Sequence, residues 1–314
     1  MTIREGGGGM LEILYEGVDI TDDVDMLKCV HREASSGRAD TLDIEFDHAA
    51  AFHRWGPKED DRIEVMRDGY TTGTLYIDSL IPTGEHYRIL ATSLPSAAKR
   101  RAWQSFRGES LKEIAHKCAV ECGMGDGYYG LDGDMRYAYL MRRDEGCAAF
   151  LNRIGEWEGM AVKAVSGRFA VIYVPWAQGR NAGRSLWIDT AQDGVTYTAR
   201  ASTRLSALTV HAPGIRATAR DSAAETQNHG NIALPAHSAA EAGRWARGLL
   251  MMRNRKAERL TVRSKFDPGM AAMLRVDVEG GTAADGEWII DDVEHDMKNG
   301  STEINMLRCI ESVE

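Results

Sequence analysis

Two stretches far apart in this chain match at more than the level of strand alternation. RIEV at residues 62–65 is followed by Gly73 and LYIDSL, and RVDV at residues 275–278 is followed, at the same spacing, by Gly286 and WIIDDV. Without a gap, Arg62 matches Arg275, Val65 matches Val278, Gly73 matches Gly286, Ile77 matches Ile290 and Asp78 matches Asp291. Antiparallel hairpins resemble one another because alternation is universal, but alternation does not demand a glycine and an Ile-Asp pair at matched offsets. Two copies of one β-domain are therefore expected. An enzyme gains no evident chemistry from such a repeat. A ring-forming structural protein does, because a duplicated domain lets a low-order oligomer imitate a higher-order ring.

The surrounding sequence extends both copies. In RADTLDIEF, Leu42, Ile44 and Phe46 alternate with Thr41, Asp43 and Glu45, the period of a strand with one buried face. Further strands are predicted at 62–67, 74–81 and 87–92, separated by the turns RDGYTTG and PTGE. Near Ala199 the strand pattern returns, through RLTVRS, MLRVDVEG, EWIIDDVEHD and TEINMLRCIE, with Asn299-Gly300 as a hairpin turn. The middle differs: a helix from Ser110, a glycine-rich loop, a second helix over 144–157, and strands at 160–165 and 169–174. The expected fold is mainly β with an α+β insert. Two similar small antiparallel β-barrels, at 10–97 and 199–314, flank an α+β connecting domain at 98–198. The second barrel contains a helix at about 238–256, where Ser238 and Glu241 form a capping box and Ala242, Trp245, Leu249 and Met252 form an apolar stripe. The Gly-rich residues 1–9 are expected to be a disordered leader.

ESLKEIAHKCAVECG, residues 109–123, concentrates a histidine, two cysteines and three carboxylates and poses the question of a metal site. Ser110 and Glu113 form a capping box, and Gly123 supplies a stop. On that helix Leu111, Ile114, Ala115, Cys118 and Cys122 share one arc, while His116 points to nearly the opposite side. Zinc ligands must converge at about 2.0–2.3 Å, which this spacing forbids within one helix. Buried cysteines and a solvated histidine are the expectation. Cys147 lies on another core stripe with Phe150, Leu151 and Ile154. DITDDVD and DGYYGLDGD lack the ligand alternation and terminal Glu of a calcium loop, and the histidines around His229 and His295 form no helical zinc-protease pair. Neither a nucleophile elbow nor a phosphate loop occurs. No residue is assigned as catalytic, cofactor-binding or metal-ligating.

A formal charge of −9, from 38 basic and 47 acidic residues, argues against nucleic-acid binding by phosphate neutralisation. No apolar run reaches the ~18 residues of a membrane span, and no secretion signal opens the chain, so a cytoplasmic site of synthesis without membrane insertion is expected. Five scattered cysteines (Cys29, Cys118, Cys122, Cys147 and Cys309) do not look like a disulfide framework.

The sequence resembles the late control protein D family of phage tail proteins, the baseplate hub proteins related to the N-terminal part of VgrG spikes. The resemblance runs through YEGVDITDDV, SSGRADTLDIEF, TGTLYIDSL, SLKEIAHKCAVECGM, SAAEAGRWARGLLMMRNRKAERLTVR and GEWIIDDVEHDM, in that order. It implies a homotrimer whose two tube-type β-domains per chain form a pseudo-sixfold ring, adapting a sixfold tail tube to a threefold spike. The implied partners are a tail tube or tube-initiator protein, a spike protein and a tape measure protein, within a virion tail or tail-like particle. VgrG continues into a needle, so here the spike is expected to be a separate chain. The resemblance implies a non-enzymatic role without cofactors and an acidic lumen that repels passing DNA. The alternative weighed beside it is a tail-associated cell-wall hydrolase with a dispersed active site, for which His116 and Cys118 are the residues to test.

Overall fold

The computed structural model describes residues 11–47, 50–133, 135–310 and 313–314; the expected leader at 1–9 lies outside them. Most strands belong to one large sheet, which has two sets of six principal strands. The first set is β1 (Leu11–Tyr15), β2 (Asp25–Ala34), β3 (Thr41–Asp47), β4 (Arg62–Arg67), β5 (Leu75–Thr83) and β6 (His86–Thr92). The second is β7 (Arg184–Trp187), β8 (Val195–Ala199), β9 (Glu258–Lys265), β10 (Arg275–Glu279), β11 (Gly286–Asp296) and β12 (Ser301–Arg308). The first set is ordered β2-β3-β6-β5-β4-β1 and the second β8-β9-β12-β11-β10-β7. Both orders are the same when six is added to each strand number. The last pairing differs in sense: β1 runs antiparallel to β4, whereas β7 runs parallel to β10.

Register agrees as well as order. Arg62 pairs with Tyr76 and Ile63 with Leu75; Arg275 pairs with Ile289 and Val276 with Trp288. Each long strand then carries a bulge at the same place, between Ile77 and Ser79 on β5 and between Ile290 and Asp292 on β11. The residue skipped is Asp78 in one and Asp291 in the other. Asp60 and Met273, at matching positions, both take positive φ, at 67° and 71°, a conformation disfavoured for non-glycine residues. Their N–H groups donate to the carbonyls of Ile77 and Ile290, each at 2.9 Å. The same positions face inward: Ile63, Val65 and Ile77 in one core, Val276, Val278 and Ile290 in the other. Full burial of each such side chain stabilises the fold by about 1.5–3 kcal/mol.

The expected closed barrels are not formed. Among the described residues β1 does not pair with β2, nor β7 with β8. The reason lies in β11, an 11-residue strand that bends at its bulge. Its first half stays beside β10, while its second half, from Asp292 to Asp296, leaves that partner and pairs with β2 of the first set. The edge needed to close the first set instead joins the two.

The middle of the chain forms α1 (Leu111–Glu121), α2 (Cys147–Glu158) and a three-stranded sheet ordered Gly125–Tyr129, Arg168–Tyr173, Met160–Val165. Core membership cuts across the expected boundary at 198/199. The helix expected inside the second barrel, α3 (Ala239–Asn254), packs with α1, α2 and the strands Ala207–Ala212 and Ile215–Arg220 into one core. Helical periodicity identifies a buried stripe but does not say which partner buries it. Leu249 is only partly buried, Ala246 and Leu250 taking the inner positions. Unit for unit, the loop between β2 and β3 is residues 35–40, and its counterpart between β8 and β9 is residues 200–257. The second set thus carries α3 and its strands as an insertion in an equivalent loop.

Candidate assembly surface

The joint between the two sets is built from β11 and β2. Val293 pairs with Glu33, Glu294 with Arg32, and His295 with His31. The ladder is framed by Ser35 N–H donating to the Asp291 carbonyl at 2.7 Å and Met297 N–H donating to the Cys29 carbonyl at 2.8 Å. Exposed ion pairs, Arg32–Glu294 at 2.6 Å and Arg38–Asp292 at 3.1 Å, cross it, each contributing at most about 1 kcal/mol.

Beneath the ladder the joint is polar and buried. His31 and His295 are buried. His31 Nδ1 lies 2.6 Å from the Tyr70 hydroxyl, and the Tyr70 ring lies 4.3 Å from that of His295. A carbonyl only accepts, so His295 Nε2 donates to Met270 O at 3.1 Å, leaving Nδ1 to accept from Thr302 Oγ1 at 3.0 Å. Burial, with the positive charge of Lys163 nearby, pushes His31 down to about 3, and burial also lowers His295. Lys163, from the middle sheet, reaches this joint and is itself buried. Its Nζ lies 2.8 Å from Glu33, 3.0 Å from Asp40 and 3.1 Å from the Ala34 carbonyl. Burial raises Asp40 to about 6 against the opposing pull of Lys163.

Among the described residues, the sheet edges left open include one in each set that matches the joint. Strand β8 pairs only with β9 there. Strand β5 pairs with β4 only at Leu75 and Tyr76, so beyond Asp78 its partner is β6 alone. The open segments read SLIPT (79–83) and VTYTA (195–199), without a charge between them, and Ile81 is 39% exposed. Natural sheets usually protect free edges with charged side chains or proline. Pro82 is the only such device here.

The residues singled out from the sequence are placed as follows. His116 is exposed and its Nδ1 lies 2.9 Å from Asp126 Oδ1, whereas Cys118 faces the core. The two are not brought together. The capping box of α1 is complete, with Glu113 N–H donating to Ser110 Oγ at 3.2 Å and Ser110 N–H donating to Glu113 Oε2 at 2.8 Å. That of α3 is half complete: Glu241 N–H donates to Ser238 Oγ, but the Glu241 carboxylate takes the N–H of His237. Cys118 and Cys122 meet Cys147 in the core, and their hydrogen bonds, with Arg142 beside them, hold the Cys147 thiol below its usual range. Arg142 is one residue missed by sequence reasoning, as are His31, Tyr70 and Lys163 of the joint. It is fully buried and donates to Glu121 at 2.7 and 2.9 Å, Cys147 at 3.0 Å and two backbone carbonyls. Its surroundings, MRRDE, are those of a solvated strand, so no sequence signal marks it. Cys29 is buried and Cys309 partly so. Among the described residues no group of three or more His, Cys, Asp and Glu side chains is placed to hold a metal ion, and no helix is long and apolar enough to cross a membrane. A cleft of 880 Å³ opens beside α3, but its Arg244 is paired with Glu158 and its Arg308 with Glu258.

No family model matches the sequence, and no curated protein matches it. Solved structures do. The 43 kDa tail protein of prophage MuSo2 from Shewanella oneidensis superposes with a TM-score of 0.74 at 15% identity, over 96% of this chain and 98% of that one. A tail protein from Neisseria meningitidis gives 0.74 at 14% identity, over 96% and 97%. The fold is that of phage tail proteins. The c3393 protein of E. coli, described as a component of the type VI secretion system similar to T4 tail proteins gp27 and gp5, gives 0.57 at 14% identity, over 96% and 77%. One fold spanning nearly all of this chain is thus common to phage tail proteins and a protein described as a secretion-system component.

Proposed function

We propose that this protein is a structural baseplate hub of a phage tail or tail-like particle. It assembles as a homotrimer in which two copies of one β-domain per chain occupy successive positions of a pseudo-sixfold ring, adapting a sixfold tail tube to a threefold spike. The observation that carries this reading is the shared strand order, register, bulge and positive-φ residue of the two sets. Alternation alone does not reproduce a bulge and a strained residue at matched positions. The first tube-type domain spans 10–97 and the second 199–314, with 98–198 connecting them. The insertion at 200–257 docks on the connecting domain and supplies the part that repeats three times, not six. A tail tube or tube-initiator protein meets the ring, a separate spike protein meets the threefold side, and a tape measure protein passes nearby. The role is non-enzymatic. The two residues named for the hydrolase alternative, His116 and Cys118, lie on opposite faces of α1 and form no joint site.

Light scattering on the full chain, alone and mixed with a tube protein and a spike protein, tests this reading. Three-copy particles, or three copies per assembled complex, are expected. A strict monomer under every one of these conditions contradicts it.

A further inference from the structure

The joint inside one chain also specifies the joint between chains, an inference that rests on the hub reading. Strand β11 beyond its bulge is occupied by β2. Its counterpart in the first set, β5 beyond Asp78, is open, and β8, the counterpart of β2, is open as well. We propose that the open half of β5 in one copy pairs antiparallel with β8 of a second copy of this chain, with Leu80 opposite Ala199, Ile81 opposite Thr198 and Pro82 opposite Tyr197.

The register follows from the ladders. Tyr76 faces Thr92 on β6, Thr92 faces Thr41 on β3, and Thr41 faces Arg32 on β2. In the second set Ile289 faces Leu307, Leu307 faces Arg259, and Arg259 faces Thr198 on β8. Thr198 is therefore the counterpart of Arg32. Ile81 is the counterpart of Glu294, lying at the same distance past the bulge. Since Glu294 faces Arg32, Ile81 faces Thr198. The exposed ion pair of the internal joint is replaced by an apolar residue against a threonine.

The free backbone groups fit this pairing. Thr83 and His86 close a tight hairpin, so alternation turns the N–H and C=O of residues 79, 81 and 83 toward β6 and those of 80 and 82 outward. On β8, Arg200 N–H bonds the Ala257 carbonyl and Gly194 O accepts from Arg263, which turns the groups of Tyr197 and Ala199 outward. Leu80 and Ala199 exchange two hydrogen bonds, and Tyr197 N–H donates to the Pro82 carbonyl. Pro82 removes one donor from the ladder and sits where its ring costs β6 nothing. Both edges lack charge, so no like-charge pair opposes their approach. The contact is heterologous, and it closes after three chains when each unit turns by about 60° from the last.

Disulfide trapping tests the register. Residues directly opposite at a non-hydrogen-bonded position have Cα atoms about 4.5 Å apart, within disulfide reach. The full chain carrying Ile81→Cys and Thr198→Cys is oxidised with oxidised glutathione and run on a non-reducing gel. Species of two and three chains are expected, ending at three and reversed by reductant, while each single substitution stays monomeric. Arg32→Cys with Glu294→Cys, the same geometry inside one chain, is the control and should close without leaving monomer mobility. If that control oxidises and I81C/T198C yields no linked chains, the inference is overturned. A second variant, Ala199→Pro, deletes an outward N–H that the single chain does not use. It should keep the circular dichroism of the parent and weaken self-association by about tenfold or more; undiminished association overturns the proposed edge. Three-copy particles without the cross-link sink the register and leave the hub reading standing. A cross-linked trimer that does not join a tube protein does the reverse.

Discussion

Gly248 lies inside α3, where glycine costs about 1 kcal/mol relative to alanine, and the neighbouring helix accounts for it. A Cβ there would stand 2.2 Å from the Trp157 carbonyl oxygen and 2.4 Å from the Gly159 nitrogen. The close approach seats Trp245 against Trp157, ring centroids 4.7 Å apart, and lets Trp245 Nε1 and Arg244 bond the buried Glu158. Gly248→Ala should therefore destabilise the protein by about 1–3 kcal/mol despite its better helix propensity. Gly243, on the same helix, meets only the tip of Arg247 at 3.9 Å, and Gly243→Ala should stabilise by about 0.5–1 kcal/mol. Urea titration of both variants checks the pair, and equal signs would refute the packing account. At this scale the sequence was readable where local rules act. The cap at Ser110, the buried Cys118 and the exposed His116 all follow from helical geometry and short-range hydrogen bonding. Arg142 and Glu158 were not readable, because their partners come from distant segments.

Among the elements, the β11–β2 joint depends on buried groups whose charge states oppose one another. His31 is held at about 3 in the folded chain against an ordinary 6.5, so the unfolded chain takes up the proton first as pH falls. Its contribution is intact above about pH 6.5 and is lost from there toward 3. Asp40 runs the other way. Raised to about 6 from 3.8, it binds a proton more readily when folded, so its contribution is full below 3.8 and is lost as pH rises through 6. The two partly cancel in the wild type, and a difference measurement separates them. Between pH 7 and 5 the stability of wild type relative to His31→Asn should fall by about 2 kcal/mol; a pH-independent difference would show that His31 is not held neutral. Lys163→Ala leaves the buried Asp40 and the half-buried Glu33 without their cation and should cost about 3–5 kcal/mol. Adding Asp40→Asn should restore part of that loss, and strictly additive losses in a double-mutant cycle would deny the coupling. Strand periodicity made β3, β4, β5, β6 and the Asn299-Gly300 hairpin legible. It could not show that β11 changes partners half-way, since a strand's alternation is the same whichever neighbour it has.

For the whole molecule, the asymmetry between the two sets is what would set the proposed three-copy hub apart from a sixfold tube. The likeness of the two sets is legible in the sequence through the matched glycine and Ile-Asp pair; the segment 200–257 is not legible as an addition to the second set, because its strands and helix read like any others. Charge then governs assembly at long range. Each chain carries −9, so copies repel, while the edges proposed to meet are uncharged and their backbone hydrogen bonds are insensitive to salt. Screening shortens from about 30 Å at 0.01 M to about 10 Å at 0.1 M ionic strength. Self-association measured by sedimentation should therefore strengthen as salt rises over this range. Weakening with salt would mean that oppositely charged faces form the contact between chains, and the neutral edges would have to be abandoned as its centre.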